Sequence, residues 1–220
     1  MILGGEIESA LDKIACLLVG KVNSAAHQKI IQSALKSFGA KVSITSDHNV
    51  SLGKIVVTGE HCSWKVRQNI ELFLNYHPDS YRALITDKSW KVLRFDLSQT
   101  LQHELIHRDQ CSYMTFPKDE WEDHNCKVYA SRGKTYRQKE VQEYFGSTEE
   151  IAAHAHCIMM ELRENAPRTN PIKLLKNAKK IPRKKSPGMK DYLEAFDYDM
   201  NHPVMKRLMK QIVYWIEKGQ

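Results

Sequence analysis

A five-residue pattern of two histidines and one glutamate carries the clearest chemistry in this sequence. It is His103-Glu104-Leu105-Ile106-His107, which has the form HExxH. Residues four apart on an α-helix lie one turn above each other, so His103 and His107 can both offer a ring nitrogen to one metal ion. Glu104 is rotated beside them, where a carboxylate can take a proton from a metal-bound water. The pattern predicts a zinc site with the two histidines as ligands and Glu104 as general base.

The residues around the motif predict the helix that it needs. Leu101 and Leu105 form an apolar stripe on a face distinct from the two histidines, and Ser98 is placed to cap the start of the helix. The segment just before it, 90–97, alternates apolar and polar residues with a period of two. We therefore expect a strand at 90–97 that leads directly into the motif helix.

The motif resembles that of the zincin metallopeptidases, and the string HELIHRDQ that begins at His103 resembles small zincin-type proteins encoded by bacteriophages. The resemblance covers 90–162. It implies a zinc-dependent peptidase with a zincin-like α+β fold, in which a small twisted sheet packs against the motif helix. It also implies that the strand at 90–97 edges the sheet and pairs with an extended substrate. Gln110 stands where the metzincin extension has glycine, so that branch is disfavoured.

A catalytic zinc ion usually takes three protein ligands, so a third must be found. Residues 147–154 resemble the second-helix signature of the gluzincins, and this likeness implies Glu150 as the third ligand. His154 or His156 would then support the ligand from outside. Glu149 is a weaker alternative. Ser147 and Glu150 also match a helix capping box, which needs no metal.

A rival third ligand is His124, seventeen positions after His107. This spacing resembles that of the SprT-like proteases, whose members act on DNA-bound proteins. Asn125 stands where that family usually has glycine, which weakens the likeness. The sequence leaves the choice between Glu150 and His124 open.

The group that would stabilise the oxyanion of the reaction is also left open. The chemically able side chains are Tyr113, Tyr129, Tyr136, His154 and His156. Cys111 and Cys126 are possible soft ligands, although lone cysteines are more often buried filler.

The spacing of apolar residues predicts an α+β protein with helices, a small sheet and further helices in that order. Two helices are predicted within 1–45, the second of them capped by Gly39. The other predicted elements are strands at 42–44, 55–58, 81–86 and 90–97, and helices at 63–76, 98–113, 118–131, 138–145 and 148–166, with an amphipathic helix near the C-terminus.

The predicted domain organisation follows the motif and the charge. We expect a zincin-like domain over 1–166, with its catalytic half in 90–162, followed by a basic segment and a C-terminal helix in 167–220. The chain has 33 lysines and arginines against 26 acidic residues. Eight of these cations lie between Lys173 and Lys190, where no acid occurs, so the rest of the chain is close to neutral. This segment, predicted to be mostly irregular, is a candidate contact for nucleic acid.

Composition excludes several other classes of protein. A chain of 220 residues with 42% hydrophobic and 27% charged residues is typical of a globular protein, not of a disordered, collagenous or membrane-spanning one. The five cysteines are an odd number, scattered and without a CxxC pair, which favours a reducing compartment. Acidic residues precede the short apolar run near the N-terminus, where a signal peptide would be basic. We therefore expect a cytoplasmic protein, in the host cytoplasm if phage-encoded, without a membrane partner.

The sequence as a whole predicts a zinc metallopeptidase that cuts protein or peptide substrates. The alternatives are a zincin-fold protein without catalysis and a nucleic-acid-binding protein that uses the basic segment. The oligomeric state is not predicted.

Overall fold

The computed structural model describes residues 4–61, 70–112 and 136–218, in two compact units, Met1–Ser112 and Tyr113–Gln220. The chain is α+β and mostly helical, as predicted, with one small sheet. Among the described helices, none is both long and apolar enough to cross a membrane. The compact units are not the predicted functional domains, 1–166 and 167–220, which stay a prediction.

The first unit begins with two helices, which confirms the prediction for this part of the chain. They are α1, Gly4–Leu18, and α2, Ser24–Leu35, followed by a 3₁₀ turn, Lys36–Phe38. The side chain of Asn23 caps α2 by accepting from the backbone N–H of Ala25 at 2.8 Å. Gly39 then reverses the chain with φ of 81°, in the left-handed region that favours glycine.

Three strands form a mixed sheet. They are β1, Ala40–Ser46, β2, Val56–His61, and β3, Ile70–Tyr76. The order is β1-β3-β2, with β1 parallel and β2 antiparallel to the central β3. The helix predicted at 63–76 is therefore wrong over Ile70–Tyr76, and 63–69 lies outside the described residues. Strand β3 buries Ile70, Leu72, Leu74 and Tyr76 on one face, with a period of two. Phe73 interrupts this alternation in the sequence, and its spacing from Ile70 and Leu74 also fits a helix, which is why a short apolar run was assigned the wrong period.

A single helix of 26 residues, α3 (Asp87–Ser112), carries the HExxH motif. The strand predicted at 90–97 is wrong, because this segment is the first part of α3. The buried residues recur every three or four positions, as a helix requires; they are Trp90, Leu93, Leu97, Leu101 and Leu105. Phe95, which completed the apparent two-residue alternation, is only half-buried.

Two smaller predictions about this region are also wrong. Ser98 does not cap a helix, because it lies inside α3, where its hydroxyl accepts from the side-chain amide of Gln102 at 2.9 Å. The strand predicted at 81–86 reduces to one isolated bridge, between Asn23 and Arg82. The motif helix therefore follows a loop, not a strand.

Helix α3 packs against α1 and against strands β2 and β3, which confirms a small sheet against the motif helix. Arg94 holds the early part of α3 to α1, since its guanidinium donates to both carboxylate oxygens of Asp12, at 2.6 and 3.1 Å. Arg108 holds the later part, since its Nη1 donates to the carbonyl of Phe38 at 3.0 Å. The motif turn lies between these two attachments.

The second unit is helical throughout its described part. Its helices are α4, Tyr136–Gly146, α5, Thr148–Asn165, α6, Pro171–Leu175, α7, Pro187–Ala195, and α8, Pro203–Glu217, with a 3₁₀ turn at Ala178–Lys180. The helices predicted at 138–145 and 148–166 and the C-terminal helix are confirmed, and 118–131 lies outside the described residues. The basic segment is more ordered than predicted, because Pro171 and Pro187 occupy first-turn positions, which need no N–H donor, and so begin helices.

A buried carboxylate joins α5 to the start of α7. Glu161, on α5, is only 6% exposed, and its Oε2 accepts from the Ser186 hydroxyl at 2.6 Å and from the Gly188 N–H at 3.2 Å. Ser186 is in turn the N-cap of α7 and accepts from the N–H of Met189. These bonds hold the start of α7 against α5.

Candidate metal centre

The two motif histidines converge on one point beside α3. Their Nε2 atoms are 2.9 Å apart and both rings are half-buried. An ion bound at about 2.0–2.1 Å to each nitrogen would hold them about 3.3 Å apart at a tetrahedral angle. A small movement of the His103 and His107 rings away from each other would therefore make room for one metal ion. The rings face each other as a shared ion requires, although metal binding itself stays a prediction.

The orientation of His107 is fixed from its other side. Its Nδ1 donates to Oε1 of Gln110 at 3.1 Å, which leaves Nε2 as the nitrogen that faces His103. In the sequence, Gln110 indicated only a departure from the metzincin pattern, and its contact with His107 was not predicted. The three-residue spacing of His107 and Gln110 could have predicted the contact, because residues three apart on a helix are neighbours.

Glu104 is buried between helix and strand. Its side chain, on a residue only 6% exposed, lies against Gly59 of β2. A Cβ atom at Gly59 would lie 3.0 Å from Cγ and 3.1 Å from Oε1 of Glu104, and 2.7 Å from Cγ2 of Thr100. Only glycine lets the strand pass this close, so Gly59 sets the position of the carboxylate. No sequence pattern indicates this contact between Gly59 and Glu104, because the two residues are distant along the chain.

A third imidazole lies near the motif at the end of β2. His61 Nδ1 is 3.6 Å from Sγ of Cys111, which stands one turn beyond His107 on α3. Burial, and then the nearby His107 and Arg108, lower the pKa of His61 to about 4. His61 is therefore neutral at physiological pH. Cys111, predicted as buried filler, is half-buried and contacts a histidine.

In the second unit, Glu150 lies in the first turn of α5. Ser147 is the N-cap, and its hydroxyl accepts from the N–H of Glu150 at 3.2 Å. The reciprocal half of a capping box is replaced, because the N–H of Ser147 donates to the carbonyl of Tyr144. The Glu150 carboxylate instead lies 3.3 Å from Nε2 of His154, one turn along. Capping therefore does not occupy the side chain proposed as a ligand.

Aromatic rings surround this carboxylate–imidazole pair. The His154 ring lies 5.8 Å from Tyr144, 5.3 Å from Phe145 and 5.6 Å from Tyr192, between ring centroids. The side chains of Glu150 and His154 are 17% and 21% exposed. Such a poorly hydrated setting strengthens any electrostatic interaction of the carboxylate, including one with a cation. Tyr192 was not among the residues that the sequence pointed to.

The remaining candidates are placed elsewhere or are not described. His156 packs against the ring of Trp215, with centroids 4.8 Å apart, and Glu149 neighbours Glu150 in the first turn of α5. The candidates outside the described residues are Tyr113, His124, Cys126, Tyr129 and the side chain of Tyr136. The choice of third ligand stays a prediction.

Comparisons with known proteins assign neither a family nor a function to the chain. No protein-family model matches the chain, no curated protein is significantly similar to it, and no solved structure significantly resembles its fold.

Proposed function

We propose that the protein is a zinc-dependent metallopeptidase of the zincin type. The observation that carries the proposal is the pair of Nε2 atoms of His103 and His107, 2.9 Å apart on one helical turn. Two imidazoles and a carboxylate are a donor set typical of catalytic zinc, which leaves one position for water. His103, His107 and Glu150 would be the ligands.

The chemistry divides between the ion and Glu104. Zinc, when bound, lowers the pKa of its water and polarises the carbonyl of the scissile bond. Glu104 would accept the proton of the attacking water and pass it to the leaving amine. Its burial against Gly59 supports this role, because a carboxylate held in one orientation needs no reorganisation during the reaction.

Strand β2 is the proposed substrate platform, in place of the segment 90–97. It is an edge strand, since within the described residues it pairs only with β3. An extended peptide could add to its outer side through backbone hydrogen bonds. Gly59 places that strand directly beside Glu104, so a peptide bound there would pass near the proposed general base.

Zinc analysis of the full-length protein tests the proposal. We expect about one zinc ion per chain, hydrolysis of an unstructured protein substrate, loss of hydrolysis with a chelator and recovery with zinc. Glu150→Ala should weaken zinc binding by more than about 100-fold, because a ligand matters more than an outer partner. His124→Ala is the matched variant for the rival ligand and should leave zinc affinity unchanged. A wild-type chain without stoichiometric zinc would rule the proposal out.

Nucleic-acid binding is a second candidate function, favoured by the exposure of the basic segment. Arg183 is held by Asp191 and Glu194, at 2.6 and 2.8 Å. In the part of the chain that the structure describes, the lysines of this segment form no ion pair. Those that are exposed are Lys173, Lys176, Lys179, Lys180 and Lys184. They are mounted on the folded α6 and the turns after it, which makes a fixed cationic surface.

If this surface binds DNA, affinity should fall steeply with salt, by about 0.9 log units per tenfold change in salt for each phosphate contacted. Replacing Lys179, Lys180, Lys184 and Lys185 by glutamine should make the slope shallower, by up to about 3 to 4. The control replaces four exposed lysines of the first unit, which are Lys13, Lys29, Lys88 and Lys91. Equal effects of the two sets, or no binding at low salt, would contradict a specific role for this segment.

A further inference from the structure

Tyr192 on α7 presents a buried hydroxyl that requires an explanation. The residue is 0% exposed, and its hydroxyl has no hydrogen-bond partner among the described residues. Burying a hydroxyl unpaired costs folding free energy, and nearly all such groups in proteins are paired. Phenylalanine would fill the same space without that cost. A tyrosine at this position is therefore consistent with a partner that forms only in another state.

The surroundings of the phenol identify that partner. The Tyr192 ring packs against Phe145, with centroids 4.6 Å apart, and against His154 at 5.6 Å. Burial, and then the negative charge of Glu150, raise the pKa of the phenol well above its ordinary value. The Glu150 carboxylate lies 3.3 Å from Nε2 of His154, so the phenol ring and the carboxylate contact the same imidazole.

We propose that Tyr192 is a positioning residue whose hydroxyl donates to the Glu150 carboxylate when Glu150 binds a divalent metal ion. This inference rests on the proposed function. Without a metal the carboxylate lies 3.3 Å from Nε2 of His154. One carboxylate oxygen turned to a metal leaves the other to accept from Tyr192, and ligating carboxylates are commonly held this way. Complete burial excludes contact with substrate, so the phenol acts only through Glu150.

The mounting of Tyr192 suits this role. Helix α7 is fixed to α5 through Ser186 and Glu161, and to α4 through the side-chain amide of Gln142, which donates to the carbonyl of Ala195 at 2.6 Å. The tyrosine and Glu150 therefore sit on helices that hydrogen bonds join directly. A donor held in this way aims its hydrogen bond without losing side-chain freedom on binding.

The test compares Tyr192→Phe with the full-length wild-type protein by zinc titration against a chromophoric chelator. We expect zinc affinity to fall by about 10- to 100-fold, while thermal unfolding of the metal-free protein is unchanged or shifted upward. Tyr214→Phe, which alters an exposed phenol on α8, is the control and should change neither. The substitution of Tyr192 is then repeated in a Glu150→Ala background, where it should have no further effect on zinc.

The outcomes separate this inference from the proposed function. A loss of affinity that disappears in the Glu150→Ala background supports positioning through Glu150. An equal loss in both backgrounds shows a general structural effect and overturns the inference. If wild-type protein binds zinc and Tyr192→Phe binds it equally well, the inference fails while the metallopeptidase stands. If wild-type protein binds no zinc, both fall together.

Discussion

Replacing His107 with alanine is expected to weaken zinc binding by more than about 100-fold, because the change removes a proposed ligand and not merely a group that orients one. The free energy of unfolding should change little, since the His107 side chain is only half-buried. Competition against a chelator of known affinity measures the first effect, and thermal unfolding of metal-free protein measures the second. Gln110→Ala should fall between wild type and His107→Ala, because Gln110 only orients the ring.

The matched control for His107 is His61, another imidazole of the first unit that lies beside the motif helix. His61→Ala should retain zinc, because His61 is outside the proposed ligand set. If its loss of zinc equals that of His107→Ala while Glu150→Ala binds normally, the third ligand is on β2 and our assignment is wrong. If all three variants bind zinc normally, no metal site exists at the motif.

Replacing Glu104 with glutamine is expected to lower kcat by about 100- to 10,000-fold while zinc stays bound. The amide has nearly the shape of the carboxylate but accepts no proton from water. Peptide hydrolysis under saturating substrate, with zinc content measured on the same sample, separates the two effects. Wild-type rates in Glu104→Gln would mean that the carboxylate is not the base, and loss of zinc would place it among the ligands.

Gly59 offers an independent approach to the same carboxylate. In Gly59→Ala the added Cβ meets Cγ and Oε1 of Glu104 at 3.0 and 3.1 Å, so the side chain must shift while keeping its charge. We expect a smaller fall in kcat, with zinc affinity preserved. Gly5→Ala is the control, because a Cβ at Gly5 meets nothing within 4 Å. Equal kcat in wild type and Gly59→Ala would show that this packing does not orient the base.

Elements whose apolar residues follow one period were predicted well from sequence. The helices α2 and α8 have a single buried face, and strand β1 alternates, so local periodicity and burial agree. Prediction failed where a short run of apolar residues fits both periods. In β3 the spacing of Ile70, Phe73 and Leu74 resembled a helix, and in α3 the chance alternation of Leu93, Phe95 and Leu97 resembled a strand.

The candidate site likewise has features that the sequence predicted and features that it did not. The facing of His103 and His107 follows from helical geometry alone, so the motif predicted it. Gly59 and Tyr192 matter through contacts between elements distant in sequence, for which one chain without its fold gives no signal. The assignment of Glu150 as the third ligand stays a prediction.

The length of α3 links the motif to the core of the first unit. One uninterrupted helix, about 39 Å long, carries both Trp90, buried among the core residues, and the paired imidazoles. No glycine or proline divides it, so the motif turn has no hinge of its own. We therefore expect the imidazoles and the hydrophobic interior to unfold as one cooperative element. Selection for a well-formed ion-binding turn would then act on residues as remote as Trp90, and loss of interior packing would release the ion without altering any ligand.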